Sequence, residues 1–168
     1  ASPPDRASSP DLGPSQDGAP PPGLARLIYV DAIVPLPGET WSSTQDAATV
    51  AARVAAAEAN GALSLPPPDP AVFGLDGADR DWVARRQTPH PFAPYREPLA
   101  FDDARWRALP RSYIDCRSPA LASIEASRQR VRSQGDWDLH ELPTGHDPMI
   151  SAPAELAALL TRIVARDA

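Results

Sequence analysis

The chain has 168 residues, 22 of them proline, and a formal net charge of −6. All sixteen basic residues are arginine, which fits the codon bias of a GC-rich genome, and the acidic balance argues against nucleic-acid binding, which needs a basic stripe. A single cysteine, Cys116, excludes an internal disulfide and a cysteine-based metal cluster, and no apolar run approaches the roughly 18 residues of a membrane span.

Residues 1–23 are rich in proline and hold no branched aliphatic or aromatic residue except Leu12, so they read as a disordered tail. Residues 24–168 then amount to about one domain. Leu27-Ile-Tyr-Val30 is a short continuous apolar run, the pattern of a strand buried on both faces. It ends at Asp31, and Pro35-Leu-Pro-Gly38 turns the chain out of the sheet. Asp46–Asn60 is alanine-rich, carries Val50 and Val54 four apart, and closes on Asn60-Gly61, a helix with a C-cap signal. Leu65-Pro-Pro-Pro-Asp-Pro70 is a linker. Gly77–Arg86 is a short helix with Trp82 and Val83 on its inner face. Thr88–Tyr95 holds too much proline for regular structure and reads as an ordered loop.

Ser112–Cys116 is a second strand, with Cys116 a small apolar residue in it. Leu121–Ser133 is a helix on which Arg128, Arg130 and Arg132 read as a solvated face. Asp136–Leu142 is a third, more exposed strand, with Trp137, Leu139 and Glu141 on one face and His140 toward solvent. After the loop Pro143–Pro148, the final helix spans Ser151–Ala165. Ser151 is placed to cap it, Pro153 lies in its first turn, and Leu156, Leu159, Leu160 and Ile163 form its apolar stripe.

The order is strand, helical insertion, strand, helix, strand, helix. Each crossover is long enough to return the chain parallel, so the fold class is α/β with about three parallel strands and flanking helices. Residues 43–108, helices and proline-pinned loops, form the insertion. Three strands in sequential order would leave the most apolar one, Leu27–Val30, at an edge that no lysine, proline or bulge blunts. That pattern belongs to an interior strand, whose neighbour would come from a missing N-terminal half or from another chain.

Four stretches carry a family resemblance: Arg26-Leu-Ile-Tyr-Val-Asp-Ala-Ile-Val-Pro-Leu-Pro-Gly-Glu39, Thr88-Pro-His-Pro91, Leu109-Pro-Arg-Ser-Tyr-Ile-Asp-Cys116 and Leu142-Pro-Thr-Gly-His-Asp-Pro-Met-Ile-Ser-Ala-Pro-Ala-Glu-Leu156. In this order they resemble the C-terminal half of α/β-hydrolases of the hydroxynitrile-lyase and plant methylesterase type, especially bacterial esterase-like relatives. The resemblance implies a partial α/β-hydrolase fold over residues 24–168, with 43–108 as a helical lid. It also implies a Ser-His-acid triad in which the histidine of Gly145-His146-Asp147-Pro148 is the general base. A loop at the C-terminal end of a parallel strand is where such sheets place ligands, and Gly145 allows a tight turn there.

The family's nucleophile sits in a Gly-x-Ser-x-Gly elbow ahead of the strand that here begins at Leu24. Ser2, Ser8, Ser9 and Ser15 precede that strand, and none is flanked on both sides by glycines in that register. Nucleophile and oxyanion hole are therefore expected outside this chain. For the acid, the usual position after the second strand reads Arg117-Ser118-Pro119, without a carboxylate. Asp31, at the end of the first strand, is the better candidate; Asp115 within the second strand is another, and Asp31 as a purely structural capping residue is a third reading. Asp147 adjoins His146 and is poorly placed to reach its ring. Trp41, Phe73, Trp82, Phe92 and Tyr95 would line or support an apolar acyl site with His90, though each aromatic residue taken singly is more often core than a substrate contact.

The expected function is hydrolysis of a small carboxylic ester, carried by His146 and Asp31 in the complete protein, with this chain inert by itself. No cofactor or metal is implied, a small ester is the expected partner rather than nucleic acid or membrane, and a cytoplasmic location is expected. Cyanohydrin cleavage, which usually enlists a lysine, meets a chain without one. A non-catalytic pseudo-enzyme or small-molecule-binding module built on the same pocket is the alternative.

Overall fold

The structure, a computed structural model, describes residues 23–166. The tail expected over residues 1–23 lies, but for Gly23, outside them.

Strand β1 (Leu27–Val30) leads into the insertion, which holds helix α1 (Ala47–Ala59), strand β2 (Ser64–Leu65), helix α2 (Gly77–Ala84), strand β3 (His90–Pro91) and helix α3 (Asp103–Arg107). Strand β4 (Arg111–Cys116), helix α4 (Glu125–Ser133), strand β5 (Asp138–Leu142), the single turn α5 (Pro148–Ser151) and helix α6 (Pro153–Val164) follow. Among the described residues the main sheet is parallel, in the order β1-β4-β5. Val30 lies opposite Ile114, and Ile114 opposite His140. β4 is central and all six of its residues are buried, whereas β1 is half-buried and β5 alternates. Among the described residues β1 forms one edge of the main sheet and nothing pairs with its outer side.

The two faces of β4 build two cores. Ile114 and Cys116 pack with Leu142 and with Leu156, Leu159 and Ile163, the inner stripe of α6. Tyr113 faces the other way, against Val34, Trp106, Val131 and Trp137, under α3 and α4. Burying each large aliphatic side chain contributes about 1.5–3 kcal/mol, so the α6 stripe is what fixes that helix to the sheet. The insertion has its own core of Ala57, Leu65 and Phe92. Asp46 caps α1, its carboxylate accepting from the Thr49 amide at 2.8 Å, and Gly61 leaves the helix at a φ of +70°.

Several expectations are corrected. Trp82 is 43% exposed, with the Arg86 guanidinium 4.1 Å from its ring, so only Val83 of that pair turns inward. Segment 88–95 is not wholly irregular: β3 pairs antiparallel with β2, and Pro91 sits at this two-residue edge where its missing amide costs nothing. Trp137 precedes β5 and is buried, unlike Leu139 and Glu141. His140 lies on the inward side of β5, 2.9 Å from Asp138. Ser151 does not cap the last helix. It ends α5, donating to the Asp147 carbonyl, and Ala152 precedes Pro153 at the start of α6. No helix among the described residues is long and apolar enough to cross a membrane.

Candidate active site

Asp31 is the first residue beyond β1. Its amide still donates to the Ile114 carbonyl at 2.8 Å, but its φ is +43°, a left-handed conformation that costs a residue with a Cβ about 1–2 kcal/mol and that aspartate tolerates better than most. The side chain is fully buried. Such local strain persists where the surroundings over-determine it, and here three donors converge on one carboxylate. Oδ1 accepts from the Cys116 amide at 3.1 Å and from Nη2 of Arg128 at 2.8 Å, and Oδ2 lies 2.8 Å from Nδ1 of His146. Burial pushes the Asp31 carboxyl up, and the hydrogen bonds from His146, Arg128 and Cys116 more than offset this, holding it below its usual value.

His146 lies in the loop after β5, a quarter of its side chain exposed. Its amide donates to the Phe73 carbonyl at 2.9 Å, and its ring meets the Phe73 ring with centroids 5.3 Å apart. The insertion thus holds the histidine loop directly. Gly145 is needed there for close approach, not for a left-handed turn. A Cβ on it would sit 2.3 Å from the Phe73 carbonyl oxygen and 3.1 Å from the Gly74 Cα. Gly74, at a φ of +84°, faces it at equally short range, so two backbones touch where side chains would normally intervene.

The other carboxylates go elsewhere. Asp115 does not reach the imidazole; it binds Nε of Arg128 at 2.8 Å and the guanidinium of Arg132. Among the described residues Asp147 makes no side-chain hydrogen bond, and burial raises its carboxyl above the usual value. Nδ1 of His146 is engaged by Asp31, and among the described residues Nε2 has no hydrogen-bond partner.

Beside the imidazole opens a cavity of about 490 Å³ between the ends of the strands and the insertion. Trp41, Phe73, Tyr95 and His90 line it, together with Leu65 and the Pro66–Pro68 run that reads as a mere linker in the sequence. Phe92 and Trp82 do not. Phe92 belongs to the core of the insertion and Trp82 to its outer surface. His90 is exposed, Nδ1 2.8 Å from the Pro91 carbonyl, with its ring edge-on to Tyr95. Trp41 packs edge-on against the same tyrosine, centroids 4.9 Å apart.

Arg128 is the residue the sequence reading misplaces. It is 1% exposed, not solvated, and binds Asp31, Asp115 and the carbonyls of Leu121 and Cys116. Arg130 likewise pairs with Glu39, and Arg132 with Asp115. The signal was present. Ile124, Arg128 and Val131 follow the helical spacing of four and three, and the two apolar members are buried, so Arg128 must share their inward face.

A model of the alpha/beta hydrolase family matches residues 9–159. The carbendazim-hydrolyzing esterase of Nocardioides sp. (strain SG-4G) is 29% identical over 150 residues, which are 84% of this chain and 62% of that protein. Among solved structures, an extracellular alpha/beta-hydrolase from a Paenibacillus species superposes with a TM-score of 0.66 at 18% identity, over 82% of this chain and 60% of that one. A pyrethroid hydrolase from Sphingobium faniae JZ-2 gives 0.53 at 18%, over 82% and 60%. Tomato methylketone synthase I gives 0.59 at 13%, over 85% and 62%. At such identities these structures bear on the fold alone. The chain spans about 60% of the length of the proteins it matches.

Proposed function

The chain belongs to the alpha/beta hydrolase family, and on that premise we propose that it carries the base and the acid of an esterase-like site, His146 and Asp31. The complete protein hydrolyses a small carboxylic ester. The observation that supports this most directly is the 2.8 Å bond from His146 Nδ1 to a fully buried, ionised Asp31. With Nδ1–H donated to the carboxylate, Nε2 is the basic nitrogen and stands at the cavity. It takes the proton of a serine as that serine attacks the ester carbonyl, then returns it to the departing alkoxide; a water repeats the sequence to release the acid. Asp31 fixes the tautomer and stabilises the imidazolium that forms between the two transfers. Val30, Ile33, Trp41, Phe73 and Tyr95 give the cavity apolar walls, and its volume suits a compact acyl or aryl group.

The serine and the oxyanion donors belong, in this proposal, to a part of the complete protein beyond these 168 residues. No serine in the chain stands in a Gly-x-Ser-x-Gly elbow. That part docks along β1, adding a strand to the edge that is unpaired among the described residues and covering an apolar groove of about 400 Å³ lined by Leu24, Leu27, Tyr29, Phe101, Trp106 and Leu109.

The test is p-nitrophenyl ester hydrolysis by the complete protein and by these 168 residues alone. The complete protein is expected to turn over and to lose roughly 10³-fold or more in kcat with His146→Ala. The 168 residues alone are expected to be inert. Robust turnover by the 168 residues that His146→Ala abolishes would overturn the view that the nucleophile lies elsewhere. Unimpaired turnover by the complete His146→Ala variant would overturn the assignment of the base. A cavity that binds esters without hydrolysing them, in the complete protein as well, would favour the non-catalytic alternative.

A further inference from the structure

Asp31 and Asp115 stand at the C-terminal ends of two adjacent parallel strands, with Asp31 bonded through its amide to Ile114, the residue before Asp115. Both are buried. Two carboxylates so close in a low-dielectric setting cannot both stay ionised unless a cation lies between them; otherwise they share one proton. Arg128 is that cation. Its Nε reaches Oδ1 of Asp115 and its Nη2 reaches Oδ1 of Asp31, each at 2.8 Å. Nη1 and Nη2 also donate to the Leu121 and Cys116 carbonyls, at 2.7 and 3.1 Å. Glu125 sits 3.5 Å from Nη1 at the rim, and Arg132 closes the far side of Asp115. The Tyr113 hydroxyl donates to the Ala32 carbonyl nearby, and burial pushes that phenol well above its ordinary value, so it stays protonated. Asp31 and Asp115 balance Arg128 and Arg132, and Glu125 adds a further carboxylate at the rim.

From this we infer that Arg128 is a positioning residue for the triad. It anchors Oδ1 of Asp31 so that Oδ2 is presented to His146, and it keeps the carboxylate from sharing a proton with Asp115. The inference rests on the proposed roles of Asp31 and His146. A planar, permanently charged fork serves two divergent carboxylates in a way that a lysine, with one charged point, does not. It also accounts for an acid at the end of β1: the post-β4 position, Arg117-Ser118-Pro119, has no carboxylate to offer, and Arg128 stabilises one on the neighbouring strand.

The test follows the Asp31 carboxyl carbon by NMR titration in the full 168-residue chain, together with the low-field proton between His146 and Asp31. In Arg128→Met the Asp31 carboxyl is expected to titrate at higher pH and the low-field proton to weaken, with Arg128→Lys restoring part of both. In Asp115→Asn, which frees the whole guanidinium charge for Asp31, the carboxyl is expected to move the opposite way. Charge alone sets the sign of both carboxyl shifts, so the low-field proton and the kcat-against-KM split in the complete protein are the readouts of positioning. If Arg128→Met does not fold, the Arg128→Lys and Asp115→Asn pair decides. Unchanged Asp31 titration in the folded Arg128 variants, or shifts of the same sign in Arg128→Lys and Asp115→Asn, overturns the inference. In the complete protein, Arg128→Lys is expected to lower kcat on the order of tenfold to hundredfold while KM stays within about twofold. Absence of ester turnover in the unmodified protein would sink the ester reading, and the carboxyl titration would still decide on Arg128.

Discussion

Replacing Gly145 with alanine tests how the histidine loop is held. The new Cβ would stand 2.3 Å from the Phe73 carbonyl oxygen, whereas ordinary contact begins at 3.4 Å, so loop and carbonyl must part by about 1.1 Å (3.4 less 2.3). Neither neighbour is the end of a flexible side chain; both the Phe73 carbonyl and the Gly74 Cα are backbone. The separation breaks the bond from the His146 amide to that carbonyl, worth about 1 kcal/mol, and overpacks the site, costing about 1–3 kcal/mol. A loss of roughly 2–4 kcal/mol lowers the melting temperature by roughly 5–15 °C in a domain of this size. The imidazole shifts with the loop, and a displacement of about 1 Å can cost on the order of a hundredfold in rate. The assay is a thermal melt of the 168-residue chain, with the His146–Asp31 low-field proton as a local probe. A melting temperature within about 1 °C of the unmodified chain, with that proton intact, would refute the argument from close approach.

Asp31→Asn should leave Arg128 buried against a neutral amide and cost about 3 kcal/mol in denaturant-measured stability, with kcat of the complete protein falling far more than KM changes. Because the folded Asp31 carboxyl lies below its unfolded value of 3.8, its stabilising share is fully present above that pH and is lost as pH falls through the lower folded value. Glu39, held down chiefly by Arg130, adds to the same acid-side loss below 4.5. Melting temperature should therefore fall on acidification below about that point, and less steeply in Asp31→Asn; identical slopes would count against the pairing. Ile163→Ala, at a fully buried position of the α6 stripe, should cost about 2–5 kcal/mol by calorimetry or urea titration, whereas Trp82→Ala should change stability by no more than about 0.5 kcal/mol.

Much of this molecule is legible in its sequence because the relevant signals are local. The apolar run Leu27–Val30 marks β1 as a strand, although it is half-buried rather than buried on both faces. The spacing of Leu156, Leu159 and Ile163 marks the packed face of α6, and glycine and proline punctuation marks the ends of α1 and the insertion. The motif around His146 marks it as a candidate base, and the position of Asp31 at a strand end marks it as a candidate acid. The absence of lysine and proline from the apolar run of β1 is likewise local, and it is what motivates the proposal of a further strand beside it. Tertiary structure decided what depends on contacts across the chain. The three donors on Asp31 come from residues 85 to 115 positions away, and no local pattern announces such convergence. The charge of Arg128 suggests a solvated residue while its helical phase, shared with Ile124 and Val131, turns it inward; only the paired carboxylates explain how a buried guanidinium is tolerated there. The sequence marks Gly145 as a turn residue, yet its constraint is the backbone of Phe73 and Gly74, some seventy positions earlier. Phe92 and Trp82 were left equivalent by composition, and folding alone sent one into the core of the insertion and the other to solvent. Side-chain periodicity specifies which face is buried, whereas the partner that face meets is fixed by chain closure over long separations.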